Sequence, residues 1–292
     1  MTITAQQVAE LRRRTDAPMM DCKKALVETQ GDIEAAEKWM REQGKLKAAK
    51  RSVRTAAEGR VLMKIAASRK KAILIEINCE TDFVAKDESF VRYCELVAQR
   101  VLEEDEADIE TIKSMPLENG VSIEEARQTL VAKLGENIQL RRLARLSSNY
   151  FVSGYSHGHR IGVIVAIDKS DEALAKDISM HIAASRPMAL DKSNISEAVL
   201  NIEREIYFKQ SQDSGKPEHI IAKMVEGRIQ KYIKENCLLG QPFVKNPDQT
   251  VEALLKAKDV RVEAFIRFEV GEGIEKEVQD FAAEVQAQMK GV

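Results

Sequence analysis

The chain has 292 residues, a formal net charge of −2, and a composition of 44% hydrophobic and 32% charged residues. That length accommodates about two domains of roughly 100–200 residues each, and the surplus of charge points to long solvated helices. The near-neutral balance argues against a general nucleic-acid binder, which is basic overall or carries a strong basic stripe. The start, MTITAQQVAELRRRTD, lacks the apolar stretch of a signal peptide. The longest apolar run, around Ile161–Ile167, is far short of the ~18 residues of a membrane span. Cys22, Cys79, Cys94 and Cys237 are scattered with no CxxC pair, and read as reduced, mostly buried thiols of a cytoplasmic protein.

Residues 1–44 read as a compact helical unit. Thr4-Ala5-Gln6-Gln7 is a capping box that opens a helix carrying Val8 and Leu11 and stopping near Thr15-Asp16. Pro18 suits the first turn of a second helix, PMMDCKKALVET, with Met19, Cys22 and Leu26 at helical spacing. Gly31 breaks it, and Asp32 caps a third helix, IEAAEKWMREQ, expected to end at Gly44. Three short helices around a small apolar core resemble a ubiquitin-associated-type bundle. Adjacent Met19 and Met20 are not both easily buried by one helix, so one of them marks a contact face. Residues 45–58 follow as a basic linker. Its KLKAAKRSVR has five basic residues, no acid and no interleaved aromatic, and reads as a solvated helical face more than as an RNA site.

Residues 59–146 read as α+β. The alternating runs VLMKIA and AILIEIN flank Ser68-Arg69-Lys70-Lys71 and predict a β-hairpin. A helix over Lys86–Glu104 follows, with Asp87 and Glu88 in its first turn and Phe90, Cys94, Val97 and Val101 as its buried stripe. Ser122-Ile123-Glu124-Glu125 is a second capping box, opening a helix with Leu130 and Leu134 that ends at Gly135. Residues 147–190 repeat the plan. YFVSGYSHGHRIGVIVAI predicts a second hairpin, Asp168–Asp171 an acidic break, and Leu174, Ile178, His181 and Ile182 a helix stripe. Over 191–238, Ile202 and Ile206 mark one helix and Ile221, Val225, Ile229 and Tyr232 another, joined by the turn Asp213–Pro217. This antiparallel helical hairpin reads as an insertion. The chain then returns over 239–273 with GQPFV, a short helix around Val251–Lys256 and a strand VEAFIRFEV, and closes with a helix in 274–292.

The usual chemistry is missing from the pattern. No GxxxxGK[ST] or GxGxxG loop is present, so no direct nucleotide binding is expected, and no GxSxG elbow marks a nucleophile. His157 and His159 lie two apart, but no further ligands stand nearby for a metal. No catalytic residue, metal or cofactor is therefore assigned. What stands out is NCETDFVAKDESF at 78–90, where an aromatic follows an acid in a strand-to-helix connection. Two readings are open. Phe83 folds back onto its own sheet, which composition and spacing favour, or it is a presented wedge, an aromatic anchor for a partner's pocket.

The strings MMDCKKAL, NCETDFVAKDESF, HGHRIGV, MHIAAS, GQPFV and FIRFEVGEGIEK, in this order and over essentially the whole chain, resemble the bacterial elongation factor Ts family. The resemblance implies an α+β fold: a ubiquitin-associated-like module, a core of two related subdomains with antiparallel sheets, an inserted helical coiled-coil hairpin that can dimerise through 191–238, and a C-terminal module. It implies guanine-nucleotide exchange on elongation factor Tu, GDP-bound and nucleotide-free, without covalent chemistry and with neither membrane nor stable nucleic-acid binding. Carried over, Thr81, Asp82, Phe83 and Val84 form the intruding element that dislodges Mg²⁺ from the partner's nucleotide site. Leu11, Met19 and Met20 would touch the partner's nucleotide-binding domain. His157, Arg160, Ile161 and Gly162 would meet one of its β domains, and the final helix would add a further contact. His159 departs from the family pattern, which usually has Ala or Gly there.

Overall fold

The computed structural model describes residues 3–105, 108–212 and 217–275. The chain is built from helices and antiparallel sheets. Helices α1 (Ala5–Thr15), α2 (Met19–Glu28) and α3 (Ile33–Arg51) form the N-terminal bundle. Thr4 and Gln7 make the capping box expected of α1, and Asp32 caps α3 through the Ala35 amide. Val8, Leu11, Cys22, Ala25, Leu26 and Ala36 fill the bundle's core.

The third helix does not stop at Gly44. It runs on to Arg51, through the segment expected as a separate linker. Gly44 is buried, and a Cβ there would lie 3.7 Å from that of Ala132. The glycine lets two helices approach closely and does not end one. Beyond it Ala48 joins the core of the next layer, and Arg51 Nη1 donates to the Val131 carbonyl at 2.8 Å. Lys47 pairs with Asp21 at 2.9 Å and Arg54 with Glu80 at 3.6 Å. The basic face is thus largely engaged within the chain.

Strands β1 (Glu58–Ile65) and β2 (Lys71–Cys79) form the first hairpin. The one-turn helix α4 (Asp82–Lys86) follows, then α5 (Glu88–Glu103), α6 (Ile109–Ser114), α7 (Ile123–Leu134) and β3 (Gln139–Ser147). The helix expected from Lys86 thus starts two residues later, with Asp87 as its cap accepting from the Ser89 and Phe90 amides. Strands β4 (Phe151–His157) and β5 (Ile161–Ile167) form the second hairpin, and α8 (Glu172–Ser185) backs it. After the hairpin of α9 (Glu197–Gln212) and α10 (Glu218–Asn236) come β6 (Pro242–Phe243), β7 (Asn246–Thr250), α11 (Val251–Ala257) and β8 (Val262–Glu269). The expected turn at 213–216 and the helix expected within 274–292, from residue 276 on, lie outside the described residues.

The strands make two three-stranded antiparallel sheets, ordered β1-β2-β3 and β4-β5-β8, with β8 returning to its sheet after the helical hairpin. The sheets pack face to face through Val61, Ala72, Leu74, Val152, Ile164, Ala166 and Phe268. On the outer face of the first, Ile73, Ile75 and Ile77 meet Phe90, Cys94, Val97 and Val101 of α5. On the outer face of the second, Val163, Val165 and Ile167 meet Leu174, Ile178 and Ile182 of α8. Central strands covered on both sides read as continuous apolar runs, as AILIEIN and IGVIVAI do.

The inter-sheet layer also holds a fully buried acid. Glu76 accepts from Arg141 Nη1 at 3.1 Å, Arg142 Nε at 2.5 Å and the Gly271 amide at 2.7 Å. Burying a carboxylate without such partners would be costly. In the helical hairpin, α10 buries Ile221, Val225 and Ile229 as the spacing predicts. Ile202 and Ile206 of α9 instead face outward, 58% and 42% exposed, while Leu200 and Ser211 point inward.

Candidate functional site

The end of β2 carries the feature that the residues left open. Phe83 is 81% exposed, the most exposed aromatic side chain among the described residues. It does not fold back onto its sheet. Val84 and Ala85 do so instead, buried in the layer under α5. Val84, expected in the presented element, is buried and supports the turn from beneath.

Local chemistry explains why the chain makes a helical turn here. Thr81 is the cap of α4, its hydroxyl accepting from the Val84 amide at 3.3 Å. At the other end Arg60 Nη1, reaching from β1, donates to the Ala85 carbonyl at 2.9 Å. Asp82 is exposed and pairs with Lys86 one turn on, at 2.6 Å. The Lys86 ammonium holds the Asp82 carboxyl below the usual carboxylate range. The turn thus presents a charged acid beside an aromatic ring. Beneath it, Cys79 is buried and its thiol is pushed up to about 12 by burial, so it is inert as a nucleophile.

The second expected segment lies alongside. The Val61 amide, next to Arg60, donates to the His159 carbonyl at 2.9 Å. This bond brings the β4–β5 turn against the strand that braces α4. His157 is exposed, with Nδ1 3.1 Å from the Tyr155 hydroxyl. Arg160 reaches Glu58 at 2.6 Å, and its carbonyl accepts from Val270 at 2.8 Å. His159 is half-buried. Burial, then the neighbouring Arg60, Arg160 and Lys86 charges, pushes its pKa down, so the ring is neutral near pH 7. Gly162 is not a surface residue: a Cβ there would sit 2.7 Å from Val61 Cγ1 and 2.8 Å from Leu74 Cδ2. Its role is to let the sheets meet, which corrects its expected place in the contact. Ile161 is half-buried at the start of β5.

In the N-terminal bundle both methionines are exposed, Met19 at 55% and Met20 at 72%. Of Met19, Cys22 and Leu26, the three at helical spacing, only the latter two face the core. Leu11, expected on the contact face, is instead fully buried in that core. Val27, 56% exposed and two turns on from Met20, extends the apolar face and was missed. Among the described residues no group of three or more His, Cys, Asp or Glu side chains is arranged to hold a metal ion. No helix among them is long and apolar enough to cross a membrane.

Comparison with known proteins decides the family. A family model described as Elongation factor TS matches residues 80–272. The chain is 51% identical to Elongation factor Ts of Thioalkalivibrio sulfidiphilus over the full length of both chains. It is 50% identical to that of Methylococcus capsulatus, with 99% of each chain covered, and 48% identical to that of Legionella pneumophila, again over 99% of each. The chain belongs to the elongation factor Ts family. The family match opens at Glu80, one residue before the cap of the exposed turn. For an elongation factor Ts chain the role lies in translation elongation. Arg60, Lys86 and Glu136, whose carboxylate accepts from the Glu80 and Thr81 amides at 3.0 Å, are the participants at this edge that sequence reading missed. Lys86 stands four residues after Asp82, a spacing that signals an ion pair on a helix. Arg60 and Glu136 act from distant segments and leave no local signal.

Proposed function

We propose that this chain is a guanine-nucleotide exchange factor for elongation factor Tu. It promotes GDP release by inserting the Asp82-Phe83 edge near the partner's nucleotide site and displacing Mg²⁺. The observation that carries this reading is the exposure of Phe83 on a turn whose neighbours Val84 and Ala85 are fastened beneath it. An aromatic ring in water has no stabilising role in its own fold, whereas aromatic anchors seated in a partner's pocket recur among binding hot spots. Mg²⁺ is held at nucleotide sites by one or two carboxylates plus phosphate oxygens, so a modest displacement of those ligands loosens the nucleotide.

Linkage fixes the thermodynamics. If the bound chain weakens GDP by some factor, GDP weakens the chain by the same factor. The chain therefore binds best to nucleotide-free elongation factor Tu, also engages the GDP-bound form, and speeds exchange in both directions. It acts in the cytoplasm by protein–protein contact, with no covalent step and no nucleotide of its own. The exposed Met19 and Met20 supply a second contact, and His157 with Arg160 and Ile161 a third. The organisation follows as an N-terminal module whose third helix runs on to Arg51, core subdomains at 59–146 and at 147–190 with 239–273, an insert at 191–238 that can pair two copies, and a C-terminal module at 274–292. The test is release of a fluorescent GDP from elongation factor Tu. A catalytic amount of the chain accelerates release on this reading, and a flat release curve with folded protein contradicts it.

A further inference from the structure

The exposed turn is too short to hold itself. Isolated helices are marginal below roughly 12–15 residues, because nucleation fixes several dihedrals for each bond gained. Helix α4 has five residues. Its orientation therefore depends on anchors. Two are already described: Val84 and Ala85 packed beneath, and Arg60 on the Ala85 carbonyl. The third comes from the segment after α7.

Glu136 Oε2 accepts from the backbone amides of both Glu80 and Thr81, each at 3.0 Å. Its Oε1 accepts from the Thr81 hydroxyl at 2.6 Å. That bond fixes the hydroxyl proton, so a lone pair of the same oxygen is aimed at the Val84 amide it caps. The lacing is reciprocal: the Asn137 amide donates to Glu80 Oε1 at 2.6 Å. Asn137 is in turn fixed by its Nδ2, which donates to the Arg54 carbonyl at 2.7 Å. A negative charge at the start of a helical turn also suits the exposed amides there.

From this geometry we infer that Glu136 is a positioning residue for the Asp82-Phe83 edge, with Glu80 as its reciprocal partner. The inference rests on the exchange reading above. Glu136 acts through Thr81, by setting the direction in which the turn presents its aromatic ring. Without it the turn keeps its packing beneath but loses its fixed N-terminal end. Partner contacts elsewhere on the chain remain, so the maximal exchange rate falls while the concentration needed for half-maximal exchange changes little.

The experiment is stopped-flow release of fluorescent GDP from elongation factor Tu at increasing concentrations of the full chain, as parent, Glu136→Ala and Glu136→Gln, with amide hydrogen exchange on each. Glu136→Ala is expected to lower the maximal rate roughly tenfold, the scale on which small misplacements act. Half-saturation is expected to shift by less than about twofold, within the range of affinity left untouched by a group that acts only in the transition state. Glu136→Gln keeps an acceptor for Thr81 and recovers part of the rate. Amide exchange accelerates at 80–84 and not across the sheets. A parental maximal rate in Glu136→Ala overturns the inference. So does a loss that appears only as raised half-saturation, or faster amide exchange throughout the sheets. If Glu136→Ala does not fold, Thr81→Val removes the hydroxyl with its bonds to Glu136 and to the Val84 amide, leaves the Glu136 bonds to the two backbone amides, and is read by the same split. Failure of the parent to accelerate release contradicts the exchange reading itself, and the functional half of the inference with it. The amide-exchange arm then still reports whether Glu136 holds the turn.

Discussion

Two junctions in this molecule do the same topological job. Each joins the second strand of a hairpin to the helix that backs it. In the second half, β5 ends at Ile167 and α8 begins at Glu172, and the short link is used wholly for closure. The Asp168 amide donates to the Arg261 carbonyl at 3.0 Å, its carboxylate accepts from the Arg261 amide at 2.8 Å, and Asp171 caps α8. In the first half, β2 ends at Cys79 and α5 begins only at Glu88, with a helical turn bearing an 81% exposed Phe between them. Where one plan is executed twice, the embellished copy marks the part that closing the fold does not require, which supports its proposed role against a partner. The extra turn is held by a cap, a distant carboxylate and an arginine, yet none of these buries the ring.

The contrast can be broken by substitution. The largest expected effect lies at Phe90, the fully buried neighbour of the exposed ring. Phe90→Ala removes the centre of the layer under α5 and is expected to cost about 3–5 kcal/mol, read by denaturant unfolding. A cost below about 1 kcal/mol would mean that the two phenylalanines do not differ as described. Next comes the plain junction. Asp168→Ala is expected to cost about 1–2 kcal/mol from the lost carboxylate bonds to Arg261, with GDP release from elongation factor Tu unchanged. An exchange defect there would erase the distinction between the junctions.

The second half also carries a pH dependence of its own through a fully buried histidine. His181 is fully buried, its Nδ1 accepting from the Val244 amide at 3.2 Å and its Nε2 2.9 Å from Gln241 Oε1. Burial pushes its pKa down from 6.5, so the folded state holds the ring neutral. Only the unfolded chain takes up the proton as pH falls past about 6.5. Stability is therefore complete above that pH and declines below it. Thermal melts between pH 8 and pH 5 are expected to show this decline, and His181→Gln to flatten it. An equal slope in the variant would place the titration elsewhere. The smallest structural effect belongs to Asp82→Ala, which removes only an exposed pair with Lys86. Its exchange defect is expected to vary with Mg²⁺ concentration, and a defect indifferent to Mg²⁺ would remove the acid's role against the metal.

Much of this architecture is legible in the chain, and the unread parts have physical causes. Alternation in VLMKIA and AILIEIN identifies the first hairpin, and Ser122 and Gly135 bound α7 as their chemistry requires. Gly44 misleads because a glycine that ends a helix and one that admits a neighbouring helix look alike in sequence. Strand β3 is hidden by a bulge. Leu140 and Leu143 are three apart, an odd step that should put them on opposite faces, yet both pack on the layer under α5. The register shift opposite Glu76 and Ile77 restores their phase, and Arg141 and Arg142 there neutralise Glu76. Leu11 and Gly162 came with the family resemblance, and packing assigns them to the interior. Glu136 stands 55 residues from Thr81, so no local pattern joins them. For Phe83 composition and spacing favour a core residue, the commoner occupant of a strand end, and its 81% exposure overturns that reading.

The most direct test pairs exchange with stability in Phe83→Ala. The account predicts an exchange rate on elongation factor Tu lower by tenfold or more, as expected for a truncated aromatic hot spot of roughly 2 kcal/mol. It also predicts unfolding free energy within about 0.5 kcal/mol of the parent, as for a surface change. A parental exchange rate, or a loss of stability like that of a buried phenylalanine, would contradict it.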